Sequence, residues 1–241
     1  LSTLEAGEAM KLGKELDYSF YDPASKRLFV HADHGGEVYA IEIPSLKLAG
    51  VVTLATKEIE HGVADGKGSY YLAARDVDRI FKIDTSALKI AAEWPTTPRC
   101  AAPNSVDYNA ADSRVLIGCR GRDTTAPSFV VLDPTSGAIT FSLPMGGGND
   151  NIVYDADLKR VFASNGLAAQ LLVLAPVSAD EYKLVEALGT RPMVKTIAMD
   201  HVGKKVYAFT AEPSADGAKK INTKVAPFYP NTYFPNTFTV L

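Results

Sequence analysis

The sequence predicts an all-β chain folded as a five-bladed β-propeller of four-stranded blades. Two observations carry this. A strand–turn–strand unit recurs five times at a period in the forties, and a second pair of strand-like segments follows each copy. A third observation removes the alternatives: no segment sustains a 3.6-residue apolar period for more than a turn or two. The unit reads Tyr-Asp-Pro-Ala-Ser-Lys-Arg-Leu-Phe-Val over 21–30 and returns over 108–117, 154–163 and 199–208. A degenerate copy over 63–72, Val-Ala-Asp-Gly-Lys-Gly-Ser-Tyr-Tyr-Leu, is one residue shorter before its apolar run. In each copy Asp, Asn, Pro or Gly makes the turn, and a β-branched or aromatic run resumes after it.

Third strands are expected over 37–41, 79–84, 129–133, 171–174 and 237–241. Fourth strands follow short turns, as Asp133-Pro134-Thr135-Ser136-Gly137 leads into Ala138-Ile139-Thr140-Phe141. Anchoring the repeats on Tyr21, Val63, Tyr108, Tyr154 and Met199 gives spacings of 42, 45, 46 and 45 residues. The 63 residues left over hold one blade and an irregular insertion at about 212–230, but not two blades. One domain over 1–241 is therefore expected. Residues 5–12 look like a fourth strand without a third, and 237–241 like a third without a fourth. Pairing them would close the ring and remove an open sheet edge.

The composition is that of an ordinary globular chain: 241 residues, 46% hydrophobic, 22% charged, mean hydropathy −0.01. No stretch approaches the roughly 20 apolar residues of a membrane-spanning helix. A net charge of −3 and a pI near 5.8, with the signs well mixed, argue against a nucleic-acid partner. A monomer is expected. Cys100 and Cys119 have no zinc-ligand spacing and fall near one end of a single hairpin, so they are either two core thiols or a disulfide. The chain starts at Leu1, without an initiator Met or a signal segment, which fits a processed export precursor as well as a trimmed chain. A periplasmic or secreted location is the expectation.

The units Ile83-Asp84-Thr85-Ser86-Ala87-Leu88-Lys89-Ile90 and Leu132-Asp133-Pro134-Thr135-Ser136-Gly137-Ala138-Ile139 resemble the "IDxxTG plus strand" element of YVTN-type, YncE-like propellers. Lys26-Arg27-Leu28-Phe29-Val30 and Lys204-Lys205-Val206-Tyr207-Ala208 are similar to that family's "D-G-K-R-L-Y-V" element. The resemblance spans nearly the whole chain and implies blades. Members of the class are mostly seven-bladed and often periplasmic or at the cell surface. It implies no particular chemistry, because a fold does not carry a function with it.

In a propeller the innermost strand of each blade starts at the central channel, so the residues before the anchors line its mouth. Four residues before each anchor stand Asp17, Ile59, Asn104, Asp150 and Lys195, followed by Glu60, His61, Ser105 and Asn151. We expect a binding funnel in which Asp17, Glu60 and Asp150 face Lys195. Arg75, Arg120 and Arg122, with Arg99 and Arg191, occupy loops that would form a basic rim suited to an anion. The glycines of Met145-Gly146-Gly147-Gly148-Asn149-Asp150 would let backbone crowd the mouth. His31, Asp33 and His34 lie at the end of a second strand on the same face, near Glu60 and His61. His31, His34, Glu60 and His61 are thus candidate ligands for a divalent metal; no other cofactor is expected.

The segment 226–235 packs four aromatics and three prolines into ten residues, either against the body or as a patch for a protein partner. No G-x-S-x-G elbow, HExxH helix or Cys-His signature occurs. The expected function is a non-catalytic, exported propeller that binds a small molecule or a protein at the funnel face. The alternative is a hydrolase or lactonase-like enzyme with Glu60, His61 and Asp150 as base or ligands and Lys195 stabilising negative charge.

Overall fold

The computed structural model describes residues 9–13, 15–32, 34–219 and 230–241. Four antiparallel sheets of four strands follow one another in chain order. Blade 1 holds Leu16–Asp22, Arg27–Ala32, Glu37–Glu42 and Leu48–Thr53. Blade 2 holds Ile59–Ala64, Ser69–Ala74, Arg79–Asp84 and Lys89–Pro95. Blade 3 holds Pro103–Asn109, Arg114–Cys119, Ser128–Leu132 and Ile139–Pro144. Blade 4 holds Asn149–Asp155, Arg160–Asn165, Gln170–Ser178 and Glu181–Gly189. Among the described residues blade 5 has three strands, Ile197–Asp200, Lys205–Thr210 and Thr239–Val240. The chain is a five-bladed β-propeller.

The repeat is a turn device. At the first turn of every blade a side-chain oxygen accepts backbone N–H groups two to four residues on: Asp22 from Ala24 and Ser25, Asp65 from Lys67 and Ser69, Asn109 from Ala111 and Asp112. Asp155 accepts from Leu158, and Asp200 from Val202 and Gly203. The residue that closes each turn sits at positive φ: Lys26 (56°), Gly68 (106°), Ser113 (54°), Lys159 (51°) and Lys204 (53°). Four non-glycine residues accept this conformation because the Asx turn already fixes the backbone around them. The shorter turn of blade 2 makes Ala64, not Val63, the counterpart of Tyr21, since Asp65 is the counterpart of Asp22.

Apolar clusters bind neighbouring blades in sequence. Phe29, Val38 and Leu54 of the first blade meet Tyr70, Leu72 and Phe81 of the second. Further clusters join blades 2 and 3, 3 and 4, and 4 and 5. Blade 1 turns Val30, Ala32, Tyr39 and Ile41 the other way, where Leu12 packs on them. Of the expected closing strand, residues 5–8 lie outside the described residues, and Ala9–Leu12 hold no strand. In the insertion Pro213–Ser214 pairs with Thr232–Tyr233, and residues 220–229 lie outside the described residues.

Cys100 and Cys119 are bonded, with Cα atoms 5.4 Å apart, and both are fully buried between blades 2 and 3. Replacing both by alanine opens a 19-residue loop and is expected to cost about 3 kcal/mol in a urea titration, a figure typical of loops of this size. Gly118 answers to a different constraint. A Cβ there would overlap the Asn149 amide oxygen and the Ser105 hydroxyl, which themselves hydrogen-bond at 2.6 Å across the joint between blades 3 and 4. Gly118→Ala is expected to lower stability by about 2 kcal/mol, whereas Gly189→Ala, with open space around it, changes little.

Candidate ligand site at the channel mouth

The residues at the mouth are placed there by a repeated irregularity. In blades 1 to 4 the innermost strand carries one more residue than its partner. Leu16 and Ser19 pair Ala32 and Val30, and Ile59 and Gly62 pair Ala74 and Leu72. Pro103 and Ser105 pair the adjacent Cys119 and Gly118, and Asn149 and Asn151 pair Asn165 and Ser164. The extra residues fall at Asp17-Tyr18, Glu60-His61, Asn104 and Asp150. A bulge leaves a residue out of the ladder and re-aims its side chain, here at the channel. Counted from the Asx turns, the equivalent positions are Asp17, Glu60, Asn104, Asp150 and Lys195. Ile59, which the first anchoring placed in this series, is instead a core residue at 1% exposure.

A bulged residue also frees backbone carbonyls, and the preceding blade or a side chain takes them up. His31 of blade 1 pairs the Glu60 carbonyl at 2.9 Å. The Asn104 amide donates to the Asp150 carbonyl at 3.2 Å, and the Ser164 hydroxyl donates to the Lys195 carbonyl at 2.5 Å. The joints between blades 1 and 2, 3 and 4, and 4 and 5 are thus each stitched by a polar side chain.

Of the predicted acids, the structure pairs Glu60 with Arg75, and Asp150 with Arg120 and Lys195. Arg75 pairs Glu60 at 2.5 Å and Glu58 at 3.0 Å, while Arg120 pairs Asp150 and donates to the Asn149 carbonyl at 2.9 Å. Lys195 stands 3.9 Å from Asp150, and Arg122 pairs Asp78 at 3.0 Å and donates to the Arg75 carbonyl. These groups border a cavity of about 490 Å³ lined by Arg75, Arg120, Arg122, Lys195, Glu58 and the apolar Leu167 and Met193, with Ala102 and three glycines. Four cations and one carboxylate face the space. Asp17, Glu60, Asp78 and Asp150 lie outside that lining. Burial raises the Glu60 carboxyl, against the pull of Arg75 and Arg120.

The histidines divide. His31 is fully buried, with Nε2 2.7 Å from the Tyr70 hydroxyl and Nδ1 on the Glu60 carbonyl, and burial lowers it to about 4. Both ring nitrogens are thereby spent. His61 stacks on Tyr18 at 4.4 Å, and burial lowers it too, opposed by Asp150 and Asp17. His34 lies on an exposed loop beside Lys57 and Glu58, and Asp33 lies outside the described residues. Among the described residues no three His, Cys, Asp or Glu side chains form a group able to hold a metal. Asn151 offers its backbone carbonyl to Ser164 at 3.3 Å.

Arg99 and Arg191 do not join this cavity. Arg99 bonds the Ile139 carbonyl, and Arg191 lines a separate cavity of about 360 Å³ beside Glu212. Of the aromatic segment, 226–229 lie outside the described residues, while Tyr233 and Phe234 are about half exposed. Sequence reasoning missed Glu58, Leu167, Met193 and Asp107. Asp107 accepts N–H groups from Tyr108 and Tyr154 at 2.7 and 2.6 Å, and burial pushes it up to about 6. Its signal was present, since the equivalent positions hold Phe20, Val63, Val153 and Ala198. Met193 carries one too late to read, a positive φ of 60°.

No family model and no curated protein sequence matches the chain. Solved structures do. A chain of a mitotic checkpoint complex aligns over 76% of this chain and 57% of its own length, with TM-score 0.66 at 12% identity. A chain of the hydrazine synthase of Kuenenia stuttgartiensis aligns over 96% of this chain and 68% of its own, with TM-score 0.66 at 14% identity. The likeness is one of fold. The chain spans little more than half of the first of these and about two thirds of the second. No helix among the described residues is long and apolar enough to cross a membrane.

His31 sets a pH limb of stability. It stays neutral in the fold down to about pH 4, whereas in the unfolded chain it takes a proton below about 6.5. Its contribution is therefore complete above pH 6.5 and falls, by about 3 kcal/mol, as pH drops towards 4. Asp107 works in the opposite sense, because its raised carboxyl is protonated first in the fold. Urea titrations from pH 4 to 7 on the wild type and His31→Phe separate the two: the difference between the curves should narrow by that amount on acidification.

Proposed function

We propose that the chain is a non-catalytic, exported binding propeller whose channel mouth takes an anionic ligand. The observation that carries the reading is the cavity of about 490 Å³ faced by four cations and one carboxylate. Its volume falls within the range of small-molecule sites. The acids behind the guanidinium groups hold them in place, and guanidinium groups suit oxyanions through paired hydrogen bonds. Export is supported by the buried Cys100–Cys119 disulfide, since such bonds persist in oxidising compartments. Membership of the YVTN/YncE-like group rests on the motifs over 83–90, 132–139, 26–30 and 204–208.

A hydrolase reading draws on His61, which burial lowers against the pull of the Asp150 and Asp17 charges. It is the weaker reading because Glu60 and Asp150, its other candidate groups, are each tied to an arginine. Turnover of an ester or lactone that His61→Ala abolishes would put it ahead.

Calorimetric titration with citrate at low ionic strength tests the binding reading. Lys195→Met and Arg120→Met should each weaken binding about tenfold, the loss expected of a charge-assisted hydrogen bond. The wild-type affinity should fall as salt is added. Unchanged affinity in both variants would remove the mouth as the site.

A further inference from the structure

We infer that the ligand is an aliphatic dicarboxylate, held by one carboxylate at each of two cationic pairs; this deepens the reading of the mouth as an anion site and rests on it. The cations are not spread evenly. Arg120 and Lys195 converge on Asp150, on the side of blades 3 to 5. Arg75 and Arg122 form the second pair, joined where Arg122 donates to the Arg75 carbonyl. Each pair keeps donors in hand. Arg120 spends Nε on the Asn149 carbonyl and Nη2 on Asp150, and Arg75 spends Nε on Glu58 and Nη1 on Glu60. Among the described residues nothing accepts from Nη1 of Arg120 or Nη2 of Arg75. Lys195, at 3.9 Å from Asp150, is beyond hydrogen-bond distance of it and has N–H donors to offer a ligand.

Size and lining select the body of the ligand. At about 30 Å³ per water in the liquid, a space of about 490 Å³ far exceeds an inorganic oxyanion. No aromatic residue lines it among the described residues, so there is no platform on which a base or a sugar face would stack. Leu167 and Met193 instead supply an apolar wall to the same cavity. Met193 is buried, and its N–H is fixed on the Gly166 carbonyl at 2.8 Å, so that wall is built into the loop. A methylene chain fits the wall while its two ends reach the cations. Glu58 at the rim disfavours a ligand charged over its whole surface, such as a polyphosphate.

The test is calorimetric titration of the wild-type chain with acetate, hexanoate, succinate, glutarate, adipate, inorganic phosphate and an acidic peptide at one low ionic strength. One dicarboxylate should bind at least tenfold more tightly than the monocarboxylates and phosphate. Leu167→Ser, at a half-buried position in the 3-10 turn Gly166–Ala168, should erase the gain from added methylenes, so that adipate binds no more tightly than succinate. If phosphate binds as tightly as any dicarboxylate, or chain length has no effect, the inference falls while the anion site stands. Binding of the acidic peptide alone would likewise overturn it. If no anion binds at all, the reading of the mouth falls as well.

Discussion

Glu60 and Asp150, the carboxylates that hold Arg75 and Arg120 at the channel mouth, sit at a single extra residue in the innermost strand, a device that recurs in each of the first four blades. A regular strand sends alternate side chains to its two faces, both of which face neighbouring blades here. Neither direction reaches the channel. The bulges at Asp17-Tyr18, Glu60-His61, Asn104 and Asp150 break the alternation where the strands arrive at the axis, and so turn charged side chains into shared space. The cost of a bulge is a backbone group without a ladder partner. The propeller meets it with a side chain of the preceding blade, as His31 does for Glu60 and Asn104 for Asp150.

This arrangement explains Gly118. The position that carries His31 in blade 1 and Ser164 in blade 4 carries a glycine in blade 3. The Asn149 side chain of the next blade occupies the volume a Cβ would need and bonds Ser105 instead. The same joint is thus solved from opposite sides, and an empty position in one blade is the socket for its neighbour. The solution is polar, and most of its buried groups find partners, while Asn104 Oδ1 and Asn165 Nδ2 have none among the described residues.

Charge at the mouth is layered. The carboxylates of Glu60, Asp78 and Asp150 hold the arginines, and the arginines face the cavity. An arginine left alone beside a cavity would sample many rotamers, and ordering it on a ligand would cost affinity. Pairing it beforehand removes much of that cost, although it also reduces the field that a ligand feels. Away from the cavity, burial shifts Asp107 up and His31 down, each towards its neutral form.

The sequence by itself determined the blades. Turn residues such as Asp22, Asn109 and Asp155 act through bonds to their own neighbours, so a local pattern is enough to reveal them. The apolar runs after them alternate with the strand period, and their spacing counts five units. Much of the mouth was legible on the same basis, because Asp17, Asn104, Asp150 and Lys195 hold one position relative to the turns. The sequence did not determine which of these charges would face a ligand. That depends on bulge register, on pairs between residues far apart in the chain such as Arg120 with Asp150, and on Leu167 and Met193, which are ordinary apolar residues until a loop sets them beside the cations. Only the tertiary structure decided it, because a one-residue bulge leaves no mark on composition or period and is stabilised by partners from another blade.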